Sequence, residues 1–253
     1  MAVDPALVAA VERAALWAWP PRETRHLRGW LLRAGGPLSP RRVNSAQTLV
    51  FDDPSRLDAA ITEAEAWYAA RGLPACFQLT DAAVPAGLDA ALADRGYARE
   101  SESLVMLGDP AAAAAGDDGT VEILHRPLQS VLAAMADPLW GDPQRRERAA
   151  LLARIRRPHR YGLVTVGGEP AAGGLVVADG QLAGLFALRT QPPFRRQGLA
   201  RRLVAACAAW ARTQGAERLY LQVEADNAPA IALYAGLGFA AAYRYGYRKA
   251  TEC

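Results

Sequence analysis

Apolar residues recur at three- and four-residue intervals at Leu199, Leu203, Val204, Cys207 and Trp210, a spacing that predicts a helix. Ahead of it, Leu182, Leu185, Phe186 and Leu188 mark residues 181–188 as a strand, which Pro192 and Pro193 end. Behind it, Leu219-Tyr220-Leu221-Gln222-Val223 reads as a strand and residues 228–236 as a helix. Gly238-Phe239 then enters a last strand on which Tyr243, Tyr245 and Tyr247 alternate onto one face. Upstream, the pattern predicts a strand at 121–124, a helix at 128–135, a loop through Trp140-Gly141-Asp142 and a helix at 143–157. Strands at 161–166 and 171–178 follow, with Gly167-Gly168 and Asp179-Gly180 as hairpin turns.

The composition of residues 108–119, Gly108-Asp109-Pro110, an alanine run and Gly116-Asp117-Asp118-Gly119, breaks both periodicities. It predicts a linker between a first domain at 1–107 and a second at 120–253. A length of 253 residues accommodates two such domains. The first half opens with Asp4-Pro5, a helix cap and first turn. Trp30 to Arg33 and Leu49 to Phe51 read as strands, and Leu57, Ile61, Ala64, Trp67 and Tyr68 as a helix. Phe77-Gln78-Leu79 and the run from Gly87 to Tyr97 then echo Leu221-Gln222-Val223 and the run that ends at Gly238-Phe239, so the chain repeats itself. Counting back from Gly96-Tyr97, Leu92 stands where Tyr234 stands in the second copy.

Arg195, Arg196, Gln197, Gly198, Leu199 and Ala200 lie between a strand and a helix, hence at a helix N-terminus. The first N–H groups there have no partner within the helix and the dipole end is positive, which suits a diphosphate. Gly198 and Ala200 keep side chains out of the way, and Arg195 and Arg196 add charge-assisted contacts.

Thr190 to Ala200 and Asn227 to Phe239 resemble the two signature motifs of the GCN5-related N-acetyltransferases (GNAT), Val/Thr-x-Pro-x-Phe/Tyr-Arg-x-x-Gly-x-Ala and Asn-x-x-Ala-x-x-Leu-Tyr-x-x-Leu-Gly-Phe, in the same order. The resemblance covers about Leu182 to Arg248. It implies an α+β protein of two tandem acyl-CoA N-acyltransferase folds, each a mixed, mostly antiparallel sheet flanked by helices, the N-terminal copy degenerate. By the same resemblance acetyl-CoA is the co-substrate. The main chain of Leu188 and Thr190 pairs with its pantetheine arm, the N–H groups of residues 196–200 bind its pyrophosphate, Asn227 binds near the pantetheine and Tyr234 is the general acid. Tyr234 otherwise is a half-buried helix tyrosine. The first copy lacks the loop, the asparagine and the tyrosine, so no cofactor is expected there.

The segment is also similar to the ribosomal-protein alanine acetyltransferases, in which a glutamate that serves as general base stands where this chain has Gln222. An amide accepts no proton at neutral pH, and deprotonating an amine of pKa about 10 at pH 7 costs about 4 kcal/mol unassisted. Glu224 lies two residues further on the same strand face; it either acts as base through a water or ends the strand as a solvated carboxylate. Asp226 shapes the turn into the following helix. Trp140, in the loop that helps form the acceptor site in this family, contacts substrate or packs. Arg41, Arg42 and Asn44 reach the acceptor cleft or form a polar turn. Trp17, Trp19, Trp30, Trp67 and Trp210 read as core aromatics.

Net charge is +3 and nearly all arginine, Lys249 being the single lysine. The run Arg154-Ile155-Arg156-Arg157-Pro158-His159-Arg160 lacks interleaved stacking aromatics and reads as a solvated helix end, so no nucleic-acid partner is expected. His26, His125 and His159 are isolated, and no metal is expected. No apolar run is long enough for a membrane span, the start Met1-Ala2-Val3 lacks the features of a signal peptide, and Cys76, Cys207 and Cys253 read as free thiols. Together these readings predict a cytoplasmic bacterial N-acetyltransferase, monomer or homodimer, acting on a small amine, an amino acid or a protein N-terminus. The alternative is a non-catalytic acyl-CoA-binding sensor or scaffold.

Overall fold

Asp4 accepts a hydrogen bond from the Ala6 N–H at 2.9 Å and Pro5 fills the first turn, so α1 (Pro5–Ala18) starts where Asp4-Pro5 predicts, in a computed structural model that describes residues 4–250. Met1-Ala2-Val3 and Cys253 lie outside the described residues. The first half continues with β1 (Glu23–Leu27), β2 (Trp30–Ala34), β3 (Ala46–Gln47), α2 (Leu57–Ala69), β4 (Cys76–Thr80), α3 (Leu88–Asp94) and β5 (Ala98–Gly108). After α4 (Pro110–Ala114) and β6 (Glu122–Leu124) come α5 (Gln129–Met135), α6 (Asp142–Leu152), β7 (His159–Val166), β8 (Glu169–Asp179) and β9 (Leu182–Thr190). The chain ends with α7 (Leu199–Thr213), β10 (Arg218–Glu224), α8 (Ala228–Ala235) and β11 (Ala240–Lys249).

The expected pair of sheets is one continuous 11-stranded sheet, in the order β1-β2-β3-β4-β11-β5-β10-β9-β8-β7-β6. Each half gives its last strand to the other. β11 pairs antiparallel with β4, β5 pairs antiparallel with β10, and β5 and β11 meet in the middle. The repeat is visible in hydrogen bonds: the Tyr97 N–H donates to Leu92 O and the Phe239 N–H to Tyr234 O, each at 3.0 Å. Gly96 and Gly238 sit at φ +80 and +85 in the two copies. The fold is therefore an α+β architecture of two related halves whose sheets are fused by strand exchange.

Alternation along the strands assigns the two faces. Leu219, Leu221 and Val223 of β10 pack with Leu199, Leu203 and Val204 of α7, while Tyr220 packs with Val8 and Val11 of α1 and Val131 of α5. Tyr243, Tyr245 and Tyr247 join the α1 side together. Across that interface the carboxylate of Glu12, only 1% exposed, accepts from the Tyr243 hydroxyl at 2.7 Å and from Gln78 Nε2 at 2.8 Å. One α1 side chain thus ties β11 to β4.

Several expectations need correction. The segment 108–119 is no bare linker: Gly108 ends β5, and Asp109 caps α4, whose Pro110 and Ala113 are buried. Alanine is the best helix former, and α4 finds α7 to pack on. Leu49 to Phe51 is not a strand, the sheet residues there being Ala46 and Gln47. The helix expected to reach residue 157 stops at Leu152. The basic run beyond it is engaged rather than merely solvated: Arg154 Nε donates to Pro20 O at 3.1 Å, and Arg157 pairs with Asp179 at 3.2 Å. Trp19, Trp30 and Trp67 are buried and Trp210 partly so, but Trp17 is 46% exposed, with the Arg157 guanidinium 5.3 Å from its ring.

Candidate active site

Parallel pairing between β9 and β10 runs only from Leu182 with Arg218 to Leu185 with Leu221. Beyond that the strands part, while β10 stays paired with β5 as far as Glu224 with Ser103. The cause lies in β9. Its register against β8 slips between Phe186 and Arg189, and Ala187 takes a left-handed φ of +50, a bulge that turns the strand away from β10. A Cβ at Gly174 of β8 would sit 2.6 Å from Leu188 Cδ2, so only glycine there lets Leu188 close over β8. The Gln191 N–H donates to Ala171 O at 2.8 Å. By alternation, Leu188 and Thr190 then direct their main-chain groups into the gap.

A 3-10 turn at Pro192–Phe194 leads into the loop before α7. Arg196 and Gly198 both take positive φ, +65 and +75, and the first helical bond is Arg202 N–H to Gly198 O. The N–H groups ahead of Arg202 therefore have no acceptor within the helix, and Gly198 offers no side-chain cap. A cleft of about 880 Å³ runs from this loop to the gap. Leu188, Thr190, Arg195, Arg196, Gly198, Leu199, Ala200, Asn227 and Tyr234 all line it; of the expected cofactor residues only Gln197 does not. The unpaired donors at α7 suit an anion, and the gap in the sheet suits an extended chain.

Asn227 caps α8, its Oδ1 accepting from the Ala230 N–H at 3.2 Å. The turn uses this side chain and the main-chain carbonyl of Asp226, not the Asp226 carboxylate. Tyr234 is buried on the α7 side and edge-on to Phe239 at 6.1 Å, and desolvation pushes its phenol up to about 12.

Gln222 and Glu224 lie on the opposite face. Gln222, Val105 and Tyr243 form one row across β10, β5 and β11, and Glu224, Ser103 and Tyr245 form the next. Gln222 Nε2 is buried without a hydrogen-bond partner, and Glu224 is exposed with its carboxylate unengaged among the described residues. Arg42 donates to the Tyr245 hydroxyl on this side. Asn44 instead locks its own loop, accepting from the Gly35 N–H at 2.8 Å and donating to Gly36 O at 2.7 Å, and Arg41 pairs with Glu100. For Asn44 the polar turn is the correct alternative.

Trp140 does not join the 880 Å³ cleft; it lines a separate one between α5 and α6. Residues that periodicity does not reveal hold this region. Gln191 Nε2 caps the end of α5 by donating to Ala134 O at 2.9 Å and Ala136 O at 3.0 Å, and Arg189 pairs with Asp137 at 2.8 Å. Gln191 sits directly after β9 and before Pro192, a position that could have flagged it. No group of three or more His, Cys, Asp or Glu side chains able to hold a metal occurs among the described residues, and none of their helices is long and apolar enough to cross a membrane.

A family model described as "Probable histone acetyltransferase Rv0428c C-terminal" matches residues 6–248. The chain is 29% identical over 244 residues to the uncharacterized N-acetyltransferase YobR of Bacillus subtilis, covering 94% of this chain and 96% of that protein. It is 32% identical over 252 residues to the probable histone acetyltransferase Rv0428c of Mycobacterium tuberculosis, covering 94% and 72%. A stretch of 57 residues is 46% identical to the ribosomal protein bS18-alanine N-acetyltransferase of Salmonella typhimurium, 22% of this chain and 38% of that one. In fold it is similar to a GCN5-related N-acetyltransferase from Kribbella flavida, with a TM-score of 0.69 at 17% identity over 97% and 96% of the two chains. A tandem GNAT protein from the clavulanic acid biosynthesis pathway gives 0.64 at 15% identity over 96% and 88%. With matching motifs, exchanged strands and a family model spanning both halves, the chain belongs to the Rv0428c C-terminal family of tandem GCN5-related N-acetyltransferases.

Proposed function

We propose that the protein transfers the acetyl group of acetyl-CoA directly to an amine, the C-terminal half carrying the chemistry. The observation that carries this reading is the cleft that joins unpaired α7 N–H groups, the gap between β9 and β10 and the Tyr234 hydroxyl. Acetyl-CoA supplies an activated acyl carbon. The N–H groups of residues 196–200, with Arg195 and Arg196, bind its diphosphate, and Leu188, Thr190 and Asn227 hold its arm.

Main-chain groups at the bulge face the carbonyl oxygen on which charge grows. The amine approaches from the Gln222 side and gives its proton to Glu224 through a water. A C–N bond forms as the C–S bond breaks, and the sulfur leaves toward Tyr234. A phenol near 12 against a thiol of about 8.5 makes full proton transfer uphill by roughly 5 kcal/mol, so Tyr234 stabilises the thiolate by a hydrogen bond. Buried, unbridged Cys76 and Cys207 suit a reducing compartment.

Thermal melting with acetyl-CoA tests the reading, because a ligand of the folded state raises its apparent stability. The wild type is expected to gain several degrees and Gly198→Glu none, since that change sets a carboxylate where the diphosphate binds. ATP is expected to give no shift. An unmoved wild type would leave only a scaffold.

A further inference from the structure

Arg148 of α6 has surroundings unlike those of the other arginines on its face. Its guanidinium carbon lies over two indoles, 4.5 Å from the Trp19 ring centroid and 4.9 Å from that of Trp140. Such contacts use the charge of a guanidinium and none of its five N–H donors, which stay available to an acceptor. Among the described residues nothing accepts: Arg148 makes no hydrogen bond and no ion pair, whereas neighbouring Arg189 pairs with Asp137 and Arg22 with Glu147. Burial, then repulsion from Arg189, pulls its pKa down to about 10, which leaves it charged at neutral pH but at a cost that a bound anion would offset.

Arg148 also faces open space. It lines the cleft of about 390 Å³ that Trp140 lines, together with Arg145 and Arg146 and against a single acid, Asp142. The cleft lies close to the candidate reaction centre: Ala133 and Ala136, which line it, accept from Gln191, the residue after Thr190. Trp19 meets Phe186 edge-on at 5.8 Å, and Phe186 directly precedes the bulge at Ala187. The two separations bound the span from Arg148 to Phe186 at about 10 Å, the reach of a small molecule.

We propose that Arg148, packed on Trp19 and Trp140, is the anion-binding residue of the acceptor site, and that the acceptor is a small amine carrying a carboxylate or a phosphate. This rests on the acetyltransferase reading above and narrows it to a substrate class. A guanidinium edge takes a carboxylate or phosphate in two parallel hydrogen bonds, which fixes the far end of the acceptor while its amine lies at the gap between β9 and β10.

Matched acceptors decide the matter. CoA release from acetyl-CoA is followed with a series of α-amino acids against their amides, and with phosphoethanolamine against ethanolamine. In the wild type the anionic member of at least one pair is expected to lead by tenfold or more in kcat/KM, mainly through KM, and the leading pair names carboxylate or phosphate. In Arg148→Met the lead is expected to fall below threefold, with Arg148→Lys between. Equal use of both members by the wild type, or a preference that survives in Arg148→Met, overturns the proposal.

The acetyl-CoA melting shift of each variant reports folding and the first site independently. A missing shift in the wild type fails the parent reading. A normal shift with no amine turned over passes the question to calorimetry of N-acetyl amino acids against N-acetyl amino amides on the CoA complex. No preference for the acid there, or no binding of either, overturns the anion site alone.

Discussion

The two halves of the molecule share a scaffold but end their central helices differently. In the second, α7 begins at Gly198 with no side-chain cap, and its N–H groups open onto a cleft. In the first, the turn before α2 is closed by Asp53, whose carboxylate accepts from the Ser55 N–H at 3.0 Å and from its hydroxyl at 2.7 Å. An internal carboxylate takes donors of the kind that a diphosphate would need. The same contrast runs along the middle strands. Gln78 accepts from Arg33 at 2.7 Å and donates to Glu12 at 2.8 Å, whereas Gln222 leaves its amide nitrogen unpaired. Leu92 fills the place of Tyr234. At these positions the first half pairs its polar groups and the second leaves them open, so the halves differ in which of these donors go unpaired.

The largest effect is expected where that satisfaction crosses between the halves. Glu12→Leu strands the Tyr243 hydroxyl and Gln78 Nε2 in the core, at about 3 kcal/mol in urea denaturation. Gln222→Met removes a nitrogen that is already unpaired and is expected to change stability by less than about 1 kcal/mol. Equal losses would mean that the two glutamines are equivalent after all.

Next comes the tyrosine. Tyr234→Phe keeps the ring against Phe239 and removes only the hydroxyl, so the acetyl-CoA melting shift should persist while kcat falls about 100-fold. Its raised pKa gives no alkaline limb to the rate below about pH 11. The reciprocal change, Leu92→Tyr, overpacks a fully buried position, costs about 1–3 kcal/mol and creates no second acetyl-CoA site. Unchanged turnover in Tyr234→Phe would return that residue to a packing role.

These contrasts differ in how far the sequence reveals them. The loop at 195–200, its helix and the Asn227 to Phe239 segment are local: prolines, glycines and a 3.6-residue period act within a few residues, and the elements follow within one or two positions. Strand exchange between β5 and β11 is invisible in the same way, because pairing partners far apart in sequence are chosen by shared burial and not by local pattern. Glu12 sits among apolar residues of α1 and gives no sign that it will meet Tyr243, 231 positions away. Arg148 falls in a helix rich in arginine, and only the arrival of Trp19 from α1 distinguishes it. Leu49 to Phe51 has strand composition but no neighbouring strand to pair with.

Each half also buries one thiol, Cys76 and Cys207, and desolvation pushes both up to about 12, with Glu100 adding to the effect at Cys76. Free thiols titrate near 8.5. Below that both states are protonated and the contribution to stability is complete; as pH rises toward 12 the unfolded chain releases protons that the fold retains, so stability falls. The expected loss between pH 8 and 9.5 is about 1 kcal/mol per thiol, on top of a smaller share from the buried tyrosines, and Cys76→Ala or Cys207→Ala should each remove about 1 kcal/mol of it. A loss left unchanged in one variant would show that its half does not hold the thiol neutral.

The smallest effect tests the contrast at its origin. Asp53→Ala frees the Ser55 N–H and hydroxyl at the turn before α2. Loss of an exposed cap should lower the melting temperature by less than about 3 °C. If an internal carboxylate were all that separates the two helix starts, this variant would gain a second acetyl-CoA equivalent by calorimetry. None is expected, because β3 has two residues, pairs with β4 along its whole length and carries no bulge to open a gap for the pantetheine arm. A stoichiometry of two would mean that the cap and not the sheet closes the first site. A stoichiometry of one assigns the difference between the halves to the bulge at Ala187.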